Sequence, residues 1–146
     1  MNLLHIKEND SARTRIADLI VRLTDDEINR SVSPDWTVGV ALMHVAFWDR
    51  QWLLKLDEFE RTGEVHIPPM NEFVHVVNEW MLPWWRAFSP AQVRRETISA
   101  AEEIDRKIAN LPENLTETIL SQRPRSVNRA IHRNEHADEI EHMLAS

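Results

Sequence analysis

The 146-residue sequence has no cysteine, no tyrosine and only two glycines, Gly39 and Gly63. Without cysteine the chain itself supplies no disulfide, no thiolate metal ligand and no thiol nucleophile. Two isolated glycines exclude a dinucleotide-binding fingerprint, which needs three close together, and a P-loop, which needs two within one loop. The same scarcity argues against a β-fold built on tight turns. The absence of tyrosine removes that residue as a general acid. No apolar run approaches the roughly 20 residues that span a bilayer, so no membrane partner is expected. The opening residues Met1-Asn2-Leu3-Leu4-His5-Ile6-Lys7 lack both the charged start and the apolar stretch of a signal peptide. A cytoplasmic location follows as the expectation. Positive charge is in deficit as well: 17 Lys and Arg face 24 Asp and Glu, a formal charge of −7. Such a surface repels nucleic acid, whose binding relies on neutralising phosphates with basic side chains, so no nucleic-acid partner is expected.

What is present points to one helical domain. Hydrophobic residues make up 42% of the chain, enough for a single core at this length, and no linker or repeat divides residues 1–146. Ile16, Leu19, Ile20 and Leu23 follow one helix face, predicting a helix from about Ser11 to Leu23. Thr24 and Glu27 form a capping-box pattern that starts a short helical turn before Pro34. Thr37 is placed to cap a second long helix, Val38 to about Arg61, closed by Gly63 and followed by Pro68-Pro69. A third stretch, Asn71 to about Phe88, carries Phe73, Val76, Val77, Trp80 and Trp84 at helical spacing. Pro83 lies inside it and predicts a kink or a break. Ser89-Pro90-Ala91-Gln92 opens a further helix, with Val93, Thr97, Ala100, Ile104, Ile108 and Leu111 along one stripe, which Pro112 ends. Past a loop holding Pro124, Ser126 is placed to cap a last helix running to about Leu144. Long amphipathic helices with short connections imply an all-α four-helix bundle.

The last helix carries His132 and His136. Residues four apart on a helix lie about 40° apart around the axis, with Cβ atoms about 5–6 Å apart, so both imidazoles reach one ion. On a strand the same spacing separates them by about 13 Å. At about 100° per residue, Asn134, Asp138 and Glu141 share the solvent side of this helix, while His132 and His136 fall opposite with Ile140 and Met143. Two inward imidazoles without partners are costly, and metal coordination satisfies them. His44, on the inward stripe of the second helix between Ala41 and Trp48, is the candidate third ligand. Three histidines with open positions are the pattern of catalytic zinc; imidazole suits nickel and iron equally well. The rival reading for each histidine is an ordinary hydrogen-bonded core or surface residue. His5, His66 and His75 sit in loop or edge contexts and His142 on the flank of the last helix, so these four are expected at the surface. The i, i+4 pairs Trp48/Trp52 and Trp80/Trp84 read as core.

Trp36-Thr37-Val38-Gly39-Val40-Ala41-Leu42-Met43-His44-Val45-Ala46-Phe47-Trp48-Asp49 resembles the second-helix signature of the DinB-like superfamily. That signature is a Trp and a Ser or Thr at the helix start, an inward His, then an aromatic–acid pair. His132-Arg133-Asn134-Glu135-His136 is similar to the terminal His-x-x-x-His segment of the same family. The resemblance implies a four-helix bundle, commonly a homodimer. It also implies a divalent ion, zinc or nickel, held by one His of the second helix and two of the last, here His44, His132 and His136. Relatives include transferases and isomerases that use a low-molecular-weight thiol such as bacillithiol, mycothiol or glutathione.

A metal-dependent thiol transferase or isomerase, acting on a small-molecule substrate, is therefore the favoured expectation. With no cysteine in the chain, the thiol has to come from outside. Arg129 and Arg133 flank the histidine ridge and are candidates for holding a carboxylate of the thiol or substrate; the rival reading is that they snorkel to solvent at the end of the bundle. Metal-dependent hydrolysis is weaker, because Glu135 points about 100° away from His136 and is not placed as the base of a His-Glu-x-x-His site. The third expectation is a non-enzymatic bundle that binds a small molecule or a partner, with Trp84, Trp85 and Phe88 lining a pocket or a dimer contact.

Overall fold

The computed structural model describes residues 3–146. Seven α-helices follow in order: α1 (Leu4–Arg22), α2 (Asp25–Ile28), α3 (Val38–Thr62), α4 (Asn71–Arg86), α5 (Pro90–Ala109), α6 (Glu113–Gln122) and α7 (Ala130–Ala145). Between α2 and α3 a small antiparallel hairpin pairs β1 (Ser31–Ser33) with β2 (Trp36–Thr37), and one 3-10 turn, Pro124–Ser126, precedes α7. The long helices α1, α3, α5 and α7 form the bundle: α3 lies against α5 and α7, and α1 against α5 and α7. No helix among the described residues is long and apolar enough to cross a membrane.

Several ends are set by the local chemistry that the sequence announces. Thr24 accepts a hydrogen bond from the Glu27 N–H while the Glu27 carboxylate accepts from the Thr24 N–H, completing a reciprocal cap. Ser89 and Gln92 do the same at the start of α5, with Pro90 in the first turn. Thr37 caps α3 through the Val40 N–H. Gly63 ends that helix at φ 75°, the left-handed region where a Cβ is penalised. The core splits between two clusters. One gathers Leu19, Val38, Leu42, Trp85 and Ile140; the other gathers Trp52, Leu56, Phe59, Ile104 and Ile119 toward the opposite end.

Four features depart from the sequence reading. α1 begins seven residues before Ser11, at Leu4. Its inward face there is polar, made of His5 and Asn9, which hides the apolar period; both are buried, so His5 is not at the surface. His66, His75 and His142 are exposed as expected. Asn9 is held by two long-range bonds, donating to the Val127 carbonyl and accepting from the Ala130 N–H. That second bond satisfies the first turn of α7, so the helix starts at Ala130 and Ser126 caps nothing; Ser126 is buried in the 3-10 turn. The segment after Pro112 is not a loop but α6, which buries Leu115, Thr116 and Ile119. Finally, Trp80 and Trp84, read as core, are exposed on α4; the helix runs through Pro83, which excludes a break there. A proline removes one backbone donor, and the carbonyl it frees belongs to Glu79, an exposed residue. Only Trp85 of α4 is buried, and the helix lies outside the bundle against α3.

Candidate metal centre

Two helix starts place the three histidines. Val38 to Trp48 is buried on almost every side of α3, and His44 lies in the second turn of this helix. His132 and His136 lie in the first two turns of α7, which faces α3 across the bundle. The Nε2 atoms of His44 and His132 stand 2.9 Å apart. One ligand nitrogen from each of His44, His132 and His136 falls within 4.8 Å of the others. Ring centroids are 4.7 to 4.9 Å apart for all three pairs, each ring nearly perpendicular to its neighbour. The three positions singled out in the sequence therefore come together in space.

Tryptophans fix two of these rings, His44 and His136. The Trp36 ring stacks on His136 at 6.1 Å and meets His44 edge-on at 4.7 Å. Trp85, the buried residue of α4, meets His44 edge-on at 5.5 Å. The β1–β2 hairpin thus has a local purpose: it delivers Trp36 onto the histidine cluster.

Burial keeps the imidazoles neutral. Desolvation, with the neighbouring His136 and against a contact with Asn78, lowers the His44 pKa to about 3. Desolvation lowers His136 to about 4. His132 is held well below its ordinary value by desolvation and by the Arg129 guanidinium. Neutral imidazole is the form that binds metals. Two nitrogens bound about 2.0–2.1 Å from one tetrahedral ion stand roughly 3.4 Å apart, so the observed spacing needs only a small opening. The donor set fits a divalent ion of borderline softness. Among the described residues the buried Nδ1 atoms of His44 and His136 have no hydrogen-bond partner; that of His136 approaches the Glu139 carboxylate at 3.5 Å without hydrogen-bond geometry.

The cluster opens on a cavity of about 210 Å³. Trp48, Trp52, Met70 and Val74 supply its apolar wall, and Arg123, Arg125, Arg129 and Glu135 its charged wall. Trp48 donates to the Asn78 side chain, which joins α4 to this wall. The two arginines proposed from the sequence have different surroundings. Arg129 lines the cavity, 3% exposed, with its Nε donating to Asp49 and its Nη1 to the Arg125 carbonyl. Arg133, 1% exposed, is not among the cavity residues. Its guanidinium is spent on a bidentate pair with Asp105 and a contact to Asp49. Glu135 makes a bidentate pair with Arg125.

Sequence reasoning missed the partners of these arginines. Asp49 is fully buried on α3 and Asp105 nearly so on α5. The available signal was positional: Asp49 directly follows the apolar run 45–48, and Asp105 lies one helical turn from the buried Ala101 and Ile108. Arg123 was missed because α6 and the turn after it read as a loop.

The DinB superfamily model matches residues 8–140 of the chain, a span that includes all three histidines. No curated protein and no solved structure matches it.

Proposed function

Because this chain belongs to the DinB superfamily, we propose that His44, His132 and His136 hold a divalent ion, zinc or nickel, in a site that activates an external low-molecular-weight thiol for transfer or isomerisation. The observation that carries the proposal is the convergence of three neutral imidazoles, two of them braced by tryptophans, on one point at the edge of a cavity. A divalent ion bound there supplies Lewis acidity, which lowers the pKa of a coordinated thiol or water. The chain's own residues do the rest. Trp36 and Trp85 orient His44 and His136; Trp48, Trp52 and Met70 keep water from one side of the cavity; Arg129, anchored by Asp49, presents positive charge beside it. Hydrolysis is disfavoured because Glu135, the carboxylate on the cavity wall, is engaged by Arg125 and is not free to act as a base.

We extend the proposal to a homodimer formed through α4. Phe73, Val76, Trp80 and Trp84 lie on one stripe of this helix and are each more than half exposed. A contiguous apolar stripe of this kind is a recognised mark of an association surface.

The experiment is elemental analysis of protein purified without a His-tag, followed by titration with zinc and nickel. Binding of glutathione or bacillithiol that depends on the ion, and fails with a thiol-free analogue, supports thiol activation; ion-independent binding contradicts it.

A further inference from the structure

The cavity beside the histidines carries a charge opposite to that of the whole chain. The sequence has a formal charge of −7, yet three guanidinium groups and a single carboxylate line this cavity. Arg125 and Glu135 neutralise each other. Arg123 and Arg129 remain. Among the described residues no carboxylate pairs with Arg123; its guanidinium lies over the Trp52 ring at 4.7 Å and donates to the Ser126 hydroxyl. Arg129 has one carboxylate partner, Asp49, which it shares with Arg133. Among the described residues the buried Nη2 of Arg129 has no hydrogen-bond acceptor. A buried guanidinium donor left without a partner costs free energy that an anion at the same point recovers.

Arg123 and Arg129 line the same cavity as His44, His132 and His136, so both guanidinium groups share one space with the histidines.

We propose that the substrate or co-substrate taken into this cavity carries a carboxylate, bound by Arg123 and the free Nη2 donor of Arg129 next to the three-histidine cluster. A planar guanidinium fork matches a carboxylate in shape as well as charge. Trp52 fixes Arg123 from below, and Asp49 fixes Arg129 from behind, so neither charge has to be ordered when the ligand arrives. A net-acidic molecule with one cationic hole also draws anions selectively to that hole. The inference concerns the same cavity as the proposed function but does not depend on a bound ion.

The test uses the full chain after chelator treatment, titrated with succinate in about 0.15 M salt and followed by calorimetry and tryptophan emission. Saturable binding of one succinate per chain is expected, with none for the uncharged succinamide. Arg123→Met should weaken it by about tenfold or more, which is about 1.4 kcal/mol. Arg129→Lys keeps a charge against Asp49 but loses the fork, and should weaken it similarly. Arg125→Gln, outside the proposed pair, should change it by less than roughly threefold, the range of a rim charge. The proposal is overturned if wild type binds no succinate, if succinamide binds equally, if Arg123→Met binds like wild type, or if inorganic phosphate binds more tightly than succinate. Should Arg129→Lys not fold, the Arg123→Met comparison still decides the matter. Because the ion is removed throughout, these outcomes are independent of whether the histidines hold zinc or nickel.

Discussion

The Nε2 atoms of His44 and His132 face each other at 2.9 Å, one on α3 and one on α7. Two imidazole nitrogens that close share either a proton or a cation. Burial has removed the option of charging both rings, because an imidazolium in this position is poorly solvated and faces the Arg129 charge as well. The pair is therefore a neutral donor set, and its stability and its metal affinity respond to pH in the same direction.

For the metal-free protein the sign follows from proton counting. The folded-state values of His44 and His136 lie below the ordinary 6.5, at about 3 and about 4. Between those values and 6.5 the unfolded chain binds more protons than the folded one. The stability contribution is complete above pH 6.5 and is lost as pH falls. At pH 5 it amounts to about 2 kcal/mol for a group depressed as far as His44. Denaturant unfolding of wild type and His44→Gln from pH 7 to 5 should show a smaller loss in the variant by about that amount. Parallel curves contradict it.

The buried ion network makes a second prediction. Asp49 accepts from both Arg129 and Arg133, and Asp105 accepts from Arg133 and Arg13, so the network reaches all four bundle helices. Removing one charge from a buried cluster leaves its partner uncompensated. Asp49→Asn should destabilise the protein by about 3–5 kcal/mol in denaturant unfolding, against about 0.5 kcal/mol for an ordinary exposed site. A cost below about 1 kcal/mol would mean that the network is dispensable.

Much of this was legible in the sequence, and the gaps have physical causes. Side-chain caps are local, so Thr24, Thr37 and Ser89 mark their helix starts correctly. The histidines were legible because four-residue spacing and an apolar stripe are also local. α7 begins on a bond from Asn9, 121 residues away in the chain, and no local pattern reports that. The solvent side of α7 was placed correctly, yet Asn134, Asp138 and Glu141 are all gripped by Arg15 of α1, a pairing decided by packing. Trp85 and Trp84 are neighbours with opposite fates, one buried against His44 and one exposed, which only the position of α4 determines.

That position also supports a third prediction. Trp80, 72% exposed on the apolar stripe, touches little in the single chain. Trp80→Glu should convert a dimer to a monomer in light scattering while changing the stability of the monomer by no more than about 0.5 kcal/mol. A wild type that is monomeric at high concentration, or a variant that still dimerises, contradicts the α4 interface.

The most direct test of the three-histidine metal site is the metal stoichiometry of the untagged protein, with zinc and nickel each offered alone at pH 7.5. Wild type should hold close to one ion per chain and His132→Ala or His136→Ala little, with folding of the variants checked by circular dichroism. Wild type that takes up no ion, or a folded His136→Ala protein that still holds one per chain, would contradict it.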